Sequence, residues 1–216
     1  MYVYILPIVG IPIMFAWMSK YIDAKFGKQK KSRIVHAFLG TSLACIFTYF
    51  CRYFMELGAT TTYETIMNLV LLWILCIAVA TDLYANVVPY PLMILMNVTG
   101  FSMATAYFFM YDMSSMWSYV FHYIVPPVAT FFTFVIFNIV GKKMWDHSIG
   151  GGDIFMFTAI AFVKGWMILA VLVVFAVAAV IQSVIALAQK KTSFPLLPSI
   201  FVSYVIVLAL EGMLSN

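Results

Sequence analysis

The chain has 216 residues, of which 65% are hydrophobic and only 9% charged, and its mean hydropathy is +1.04. Soluble proteins are about half apolar and about a quarter charged, so this composition excludes a water-soluble globule and describes a chain whose solvent is the bilayer. The net charge of +4 lies in short clusters between apolar runs, a pattern that sets membrane orientation and gives no sign of nucleic-acid binding.

A helix crossing the hydrocarbon core needs about 20 apolar residues. On that template, spans fall near 2–18, 34–56, 66–82, 92–111, 117–141, 153–165, 166–189 and 194–214. The expected fold is an all-α polytopic membrane protein of about eight transmembrane helices, six to eight being compatible with the pattern. The first run has no basic region before it and no small-residue cleavage site, so it reads as a retained span and not as a signal peptide. It leads into a basic stretch, about 19–33, too short to fold alone and suited to contact with anionic lipid. Residues 1–65 thus form a two-span segment with a short basic connection. Residues 66–216 form a six-span core. The sixth span is short, about 20 Å at 1.5 Å per residue, and is expected to be a half-span or to tilt.

Eight spans place Lys20, Lys25, Lys28, Lys30, Lys31, Arg33, Lys142, Lys143, Lys190 and Lys191 on one face, leaving Arg52 and Lys164 near the other. The positive-inside rule makes the lysine-rich face cytoplasmic and puts both termini outside. A single helix over 153–189 would put Lys190 and Lys191 on the wrong side. Among the acids, Glu56, Glu64, Asp112 and Glu211 fall near the outer face, while Asp23 and Asp146 fall in cytoplasmic connections. Asp82 and Asp153 are left at the cytoplasmic ends of apolar spans, at one predicted depth.

Ionisable groups at membrane depth are costly and usually functional. Asp82 ends the third span and is followed by Pro89 and Pro91, which stop one helix and start the next. Taken alone, it could be an ordinary solvated residue at the interface. Asp153 follows Gly150, Gly151 and Gly152, which allow a sharp turn and close backbone approach, and it meets the positive end of a helix dipole. A plain N-cap aspartate would also fit that position. Two carboxylates at one level suggest aspartyl-protease chemistry: they share a proton, the charged one activates water, and the protonated one donates to the scissile carbonyl. No metal or other cofactor is expected. Only Asp146 and His147 could join the pair from the cytoplasmic connections, and hard cations usually need more oxygen ligands.

The segment "GGGD" at 150–153 resembles the GxGD signature of membrane-embedded aspartyl proteases. The spacing in "DLYANVVP" (82–89) resembles the first catalytic motif of type IV prepilin peptidases, and "AIAFVKGW" (159–166) and "FPLLPSIF" (194–201) resemble later family segments. The resemblance covers about residues 66–214. It implies that Asp82 and Asp153 are the catalytic aspartates, Gly150 and Gly152 the motif glycines and Pro89 the motif proline, with Gly151 between the glycines. It further implies cleavage of prepilin-like precursors, whose basic leader precedes a single apolar helix, at the cytoplasmic face of a bacterial inner membrane. Membrane lipid is the other expected partner.

The chain departs from the family pattern at Tyr90, His147 and Phe155, where the family often has an acid, an acid and a lysine. It also lacks the cysteine-rich insertion linked to methylation of the new N-terminus. Cleavage is therefore expected without methylation. Cys45, Cys51 and Cys76 form no CxxC pair and read as small core residues. His36 and His122 read as packing or hydrogen-bonding residues. The alternative function is an ion- or proton-coupled transporter using the same Asp pair. Against it, both aspartates lie at one edge and no inverted repeat is visible.

Overall fold

The computed structural model describes residues 5–56, 62–111, 115–145, 150–188 and 195–214. The described residues form α1 (Ile5–Phe26), α2 (Arg33–Glu56), α3 (Thr62–Ala85), α4 (Tyr90–Tyr111), α5 (Met116–Tyr119), α6 (Val125–Trp145), α7 (Gly151–Lys164), α8 (Ile168–Ala188) and α9 (Leu197–Leu214), with no strand among them. Asp112, Asp146, His147, Lys190, Lys191 and Phe194 lie outside the described residues, as do the side chains of Arg52 and Glu56.

In lipid every backbone N–H and C=O must find its partner within the chain, which favours helices. The helices are apolar on all sides, and large residues such as Ile34, Phe38, Ile136 and Val173 stay exposed, as lipid-facing surfaces do. The protein is a multi-pass membrane protein. Six runs are long and apolar enough to cross a bilayer, and one of them, Gly151–Ile185, is 35 residues long. That run is folded in two. Phe157 and Phe175 pack edge to face with ring centroids 4.8 Å apart, whereas a continuous helix would separate them by about 27 Å. The chain reverses at Gly165, whose φ of +54° suits glycine. With α9 included, the described residues hold eight apolar segments.

Helix α3 is the centre of the bundle. Sixteen of its 24 residues are buried, against α1, α2, α4, α7 and α9. Its polar side chains are satisfied internally: Tyr204 Oη donates to Asn68 Oδ1 at 2.8 Å and Thr81 Oγ1 to the Ala78 carbonyl. Small residues set two close crossings. A Cβ at Gly40 would stand 3.2 Å from Ala80, and one at Gly100 would stand 3.0 Å from the Ala159 carbonyl. Such residues let helices approach where no hydrophobic driving force exists between them.

Two expected boundaries shift. Helix α1 runs beyond 18 to Phe26, so Lys20, Asp23 and Lys25 are helical and the basic connection shrinks to 27–32. The extension is held because Met18, Ser19 and Ile22 are buried, Ile22 packing in one cluster with Phe15, Ala80 and Tyr84. Gly27, at φ +86°, then ends the helix by donating to the Asp23 carbonyl at 3.1 Å, a left-handed cap. Helix α3 continues to Ala85, so Asp82 lies one turn inside its end. Asn86, at φ +53°, caps it by donating to the Asp82 carbonyl at 2.6 Å.

The fifth apolar segment is interrupted by a π-helical turn, Val120–Ile124, between α5 and α6. Pro126 has no N–H and cannot pair with the carbonyl one turn earlier. The loosened turn is covered by the α7–α8 reversal. Trp166 Nε1 donates to the Phe121 carbonyl at 3.1 Å, and Gly165 lies so near the His122 carbonyl that a Cβ would stand 2.9 Å from it.

Single cysteines at Gln29 and Lys142 are expected to react with an impermeant thiol reagent from one side of the membrane, and a cysteine at Met116 from the other. In a background lacking Cys45, Cys51 and Cys76, labelling of Lys142→Cys and Met116→Cys from the same side would contradict the antiparallel order of these segments.

Candidate functional site

Several helix ends meet at one end of the bundle, among them the C-terminal ends of α1 and α3 and the N-terminal ends of α2, α4, α7 and α9. Asp82 comes from the last turn of α3 and is only 6% exposed. A buried carboxylate needs compensation, and α9 supplies it. The Leu197 amide, in the first turn of α9, donates to Asp82 Oδ2 at 3.3 Å. The first amides of a helix lack intrahelical acceptors, and the helix dipole favours an anion there. Leu196 serves as the N-cap, its carbonyl accepting from the Ser199 and Ile200 amides.

Asp153 comes from the first turn of α7 and is half-buried. It does not open the helix as its cap. Gly150 is the N-cap, and Asp153 is the third helical residue. Its amide donates to the Gly150 carbonyl at 3.0 Å, and its carboxylate folds back over the Gly150 amide, as an acidic residue does in a capping box. A Cβ at Gly150 would stand 3.0 Å from Asp153 Oδ2. The two carboxylates, far apart in sequence, are within electrostatic reach of each other.

The three glycines have separate roles. Gly152 is pressed against the α3–α4 connection, where an added Cβ would come within 2.9 Å of the Val88 Cβ and 3.2 Å of the Met93 Cε. This contact holds the start of α7 beside the end of α3. Gly151 faces open space, with nothing within 4 Å of an added Cβ, and leaves room beside Asp153. Pro89 has no N–H to offer the carboxylates. Its carbonyl caps α4 by accepting from the Leu92 and Met93 amides. Pro91, at the second helical position, lacks an amide that would have no partner anyway. Farther along, Asn97 Nδ2 donates to the Phe155 carbonyl at 3.0 Å and to the Met93 carbonyl at 2.9 Å, fixing α4 alongside α7. Phe155 turns away to pack against Phe131, with centroids 6.0 Å apart.

A polar cluster with no sequence motif of its own stands beside the site. Asp23 accepts from the Arg33 guanidinium, from Tyr84 Oη at 3.1 Å and from the Gln29 amide at 3.2 Å. It binds α1, the 27–32 connection and α2 to α3 two residues beyond Asp82. Asp23 was legible only as one more acid in a basic loop. Tyr84, four residues before the conspicuous Val88–Pro89 corner, carried no signal of its own.

Several other polar groups also have partners. Lys164 and Glu211 form an ion pair at the opposite end, beside Tyr204. His36 Nδ1 lies 2.7 Å from the Ser32 carbonyl, and its ring rests on Tyr84. His122 packs against Phe121. Among the described residues, no three of His, Cys, Asp and Glu gather as a metal-binding group. An apolar cleft of about 320 Å³ opens between α6 and α8, lined by Thr133, Phe137, Leu172 and Phe175 among others and by neither aspartate. No protein-family model matches the chain, and no curated protein or solved structure is significantly similar to it.

Replacing Gly152 by alanine is expected to push α7 off Val88, destabilising the protein by about 1–3 kcal/mol and moving Asp153 away from Asp82. Gly151→Ala is expected to be neutral or to stabilise by up to about 1 kcal/mol, since glycine disfavours helix and nothing blocks the added methyl. Thermal unfolding of both variants in detergent distinguishes them. Equal effects would mean the contact with Val88 does not position α7.

Proposed function

We propose that the protein is a membrane-embedded aspartyl endopeptidase that removes the leader of type IV prepilin-like precursors. The observation that carries this reading is the approach of Asp82 and Asp153 at one end of the bundle, each compensated by helix N-terminal amides. Carboxylates brought together this way share a proton more readily than they both ionise.

In the reaction, the ionised carboxylate takes a proton from water as the water oxygen attacks the scissile carbonyl carbon. The other carboxyl gives its proton to the carbonyl oxygen, forming a tetrahedral diol. One hydroxyl proton then returns to the dyad as the C–O double bond re-forms. The leaving nitrogen receives a proton from the other member as the C–N bond breaks. The dyad ends with one proton, as it began. Proximity supplies a large part of the acceleration, because base, acid and peptide need no further assembly.

The open face at Gly151 gives an extended substrate backbone room beside Asp153. The substrate's apolar helix would lie among the spans, with its basic leader outside the bilayer. Lys25, Lys28, Lys30, Lys31, Arg33, Lys142 and Lys143 belong to the same end of the bundle as the dyad. By the positive-inside rule that end faces the cytoplasm, which in this reading is the cytoplasm of a bacterium bounded by its inner membrane. The chain has no CxxC pair, and the product is a new N-terminus without methylation. A site at one end of the helices also fits a peptidase better than a transporter, whose ion sites lie near the midplane.

Co-expression with prepilin-like precursors provides the test. Asp82→Asn and Asp153→Asn are each expected to lower processing by at least about 10²–10⁴-fold, the usual contribution of a general acid or base, while protein levels hold. Processing at the normal rate by either variant would overturn the dyad. Mass spectrometry of the product N-terminus should find the unmodified amine.

A further inference from the structure

Which carboxylate serves as the base depends on the charges and donors beside the dyad. The 27–32 connection does not hang free. The Gln29 amide and the Arg33 side chain are both held by Asp23, which is itself held by Tyr84 on α3. This fixes both flanks of Lys31. Its ammonium donates to the Leu83 carbonyl, the residue next to Asp82, and lies within electrostatic reach of the Asp82 carboxylate.

We propose that Lys31 is a positioning residue for the dyad: anchored on the Leu83 carbonyl by the Asp23–Arg33–Tyr84 cluster, it supplies the counter-charge that makes Asp82 the ionised member and the base toward water. This rests on the peptidase reading of the same site. Asp153 then holds the shared proton and donates it to the scissile carbonyl. The other groups facing Asp82 are consistent with that division. Helix α9 presents the Leu197 amide, and α7 presents Asp153. Arg33 and Asp23, from α2 and α1, are spent on each other and on Tyr84, and His36 on Ser32 and Tyr84. Among the described residues, Lys31 is the cation within electrostatic reach of Asp82.

A lysine at a helix C-terminus also stabilises the helix by pairing with its last carbonyls, and the test must separate this role from the proposed one. Glutamine at position 31 keeps a donor for the Leu83 carbonyl and removes the charge, whereas arginine keeps both. Processing of one precursor is followed in membranes containing the wild type, Lys31→Gln, Lys31→Arg and Asp82→Asn. Lys31→Gln is expected to lower kcat about tenfold, the scale of removing one opposite charge, with KM little changed, and Lys31→Arg to restore most of it. Wild-type kcat in Lys31→Gln, or a Lys31→Arg no better than Lys31→Gln, would overturn the role of Lys31 while leaving the peptidase intact. Normal processing by Asp82→Asn would instead overturn the peptidase reading.

A second measurement does not depend on cleavage. A hydrophobic carbodiimide reacts with protonated carboxyls, and its adducts on Asp82 and Asp153 are counted by peptide mass spectrometry at neutral pH. Several-fold more Asp82 adduct is expected in Lys31→Gln than in the wild type or Lys31→Arg. Equal Asp82 adduct in all three would refute the proposal.

Discussion

A carboxylate buried in a protein that sits in hydrocarbon has to be answered by other groups of the same chain, and Asp82 is answered by helix ends. At 6% exposure it gains little from bulk water, and a lone charge there would be costly. Helix N-termini carry unpaired amides and a favourable dipole. The start of α9 meets Asp82, and the start of α7 meets Asp153. The two helices have to begin at the depth where α3 ends. The reversals and caps of the surrounding chain follow from that requirement.

The closeness of the carboxylates is maintained by backbone contacts more than by side-chain bulk. Gly152 against Val88, Gly100 against the Ala159 carbonyl and Gly40 against Ala80 bring α7, α4, α3 and α2 nearer than side chains would permit. Where hydrophobic association between helices is weak, as in lipid, such contacts and a few interhelical hydrogen bonds do most of the packing. Asn97 on the Phe155 carbonyl, Trp73 on Thr48 and Tyr204 on Asn68 are bonds of that kind. The short α7 is accommodated because its far end is tied to α9 through Lys164 and Glu211. Its turn into α8 is covered by Trp166.

The site is asymmetric in its surroundings. On the Asp82 side stands a polar cluster that links α1, α2 and α3 through Asp23, Arg33 and Tyr84. On the Asp153 side stand glycines, open space and the Phe155–Phe131 contact. One carboxylate is therefore enclosed by donors, and the other borders open space at Gly151. In the proposed peptidase, such a difference in environment is what would separate a base from an acid.

The sequence by itself determined the class of fold, because apolar length and the clustering of lysines answer directly to bilayer thickness and to the positive-inside rule. It also singled out Asp82 and Asp153, since a carboxylate at the end of an apolar run stands out against the cost of placing it there. The division of the long apolar run at Gly165 was legible from charge placement, and the packing of Phe157 on Phe175 accords with it. The ends of α1 and α3 were not legible. Lys20 to Lys25 look like a loop when read for polarity, but burial of Met18, Ser19 and Ile22, with Ile22 packed on Ala80 and Tyr84 of α3, carries the helix through them. Nor could the sequence assign separate roles to Gly150, Gly151 and Gly152, or reveal that Lys31, Asp23 and Tyr84 converge beside Asp82. Those facts depend on which helix ends become neighbours, and only packing of distant segments against one another decides that.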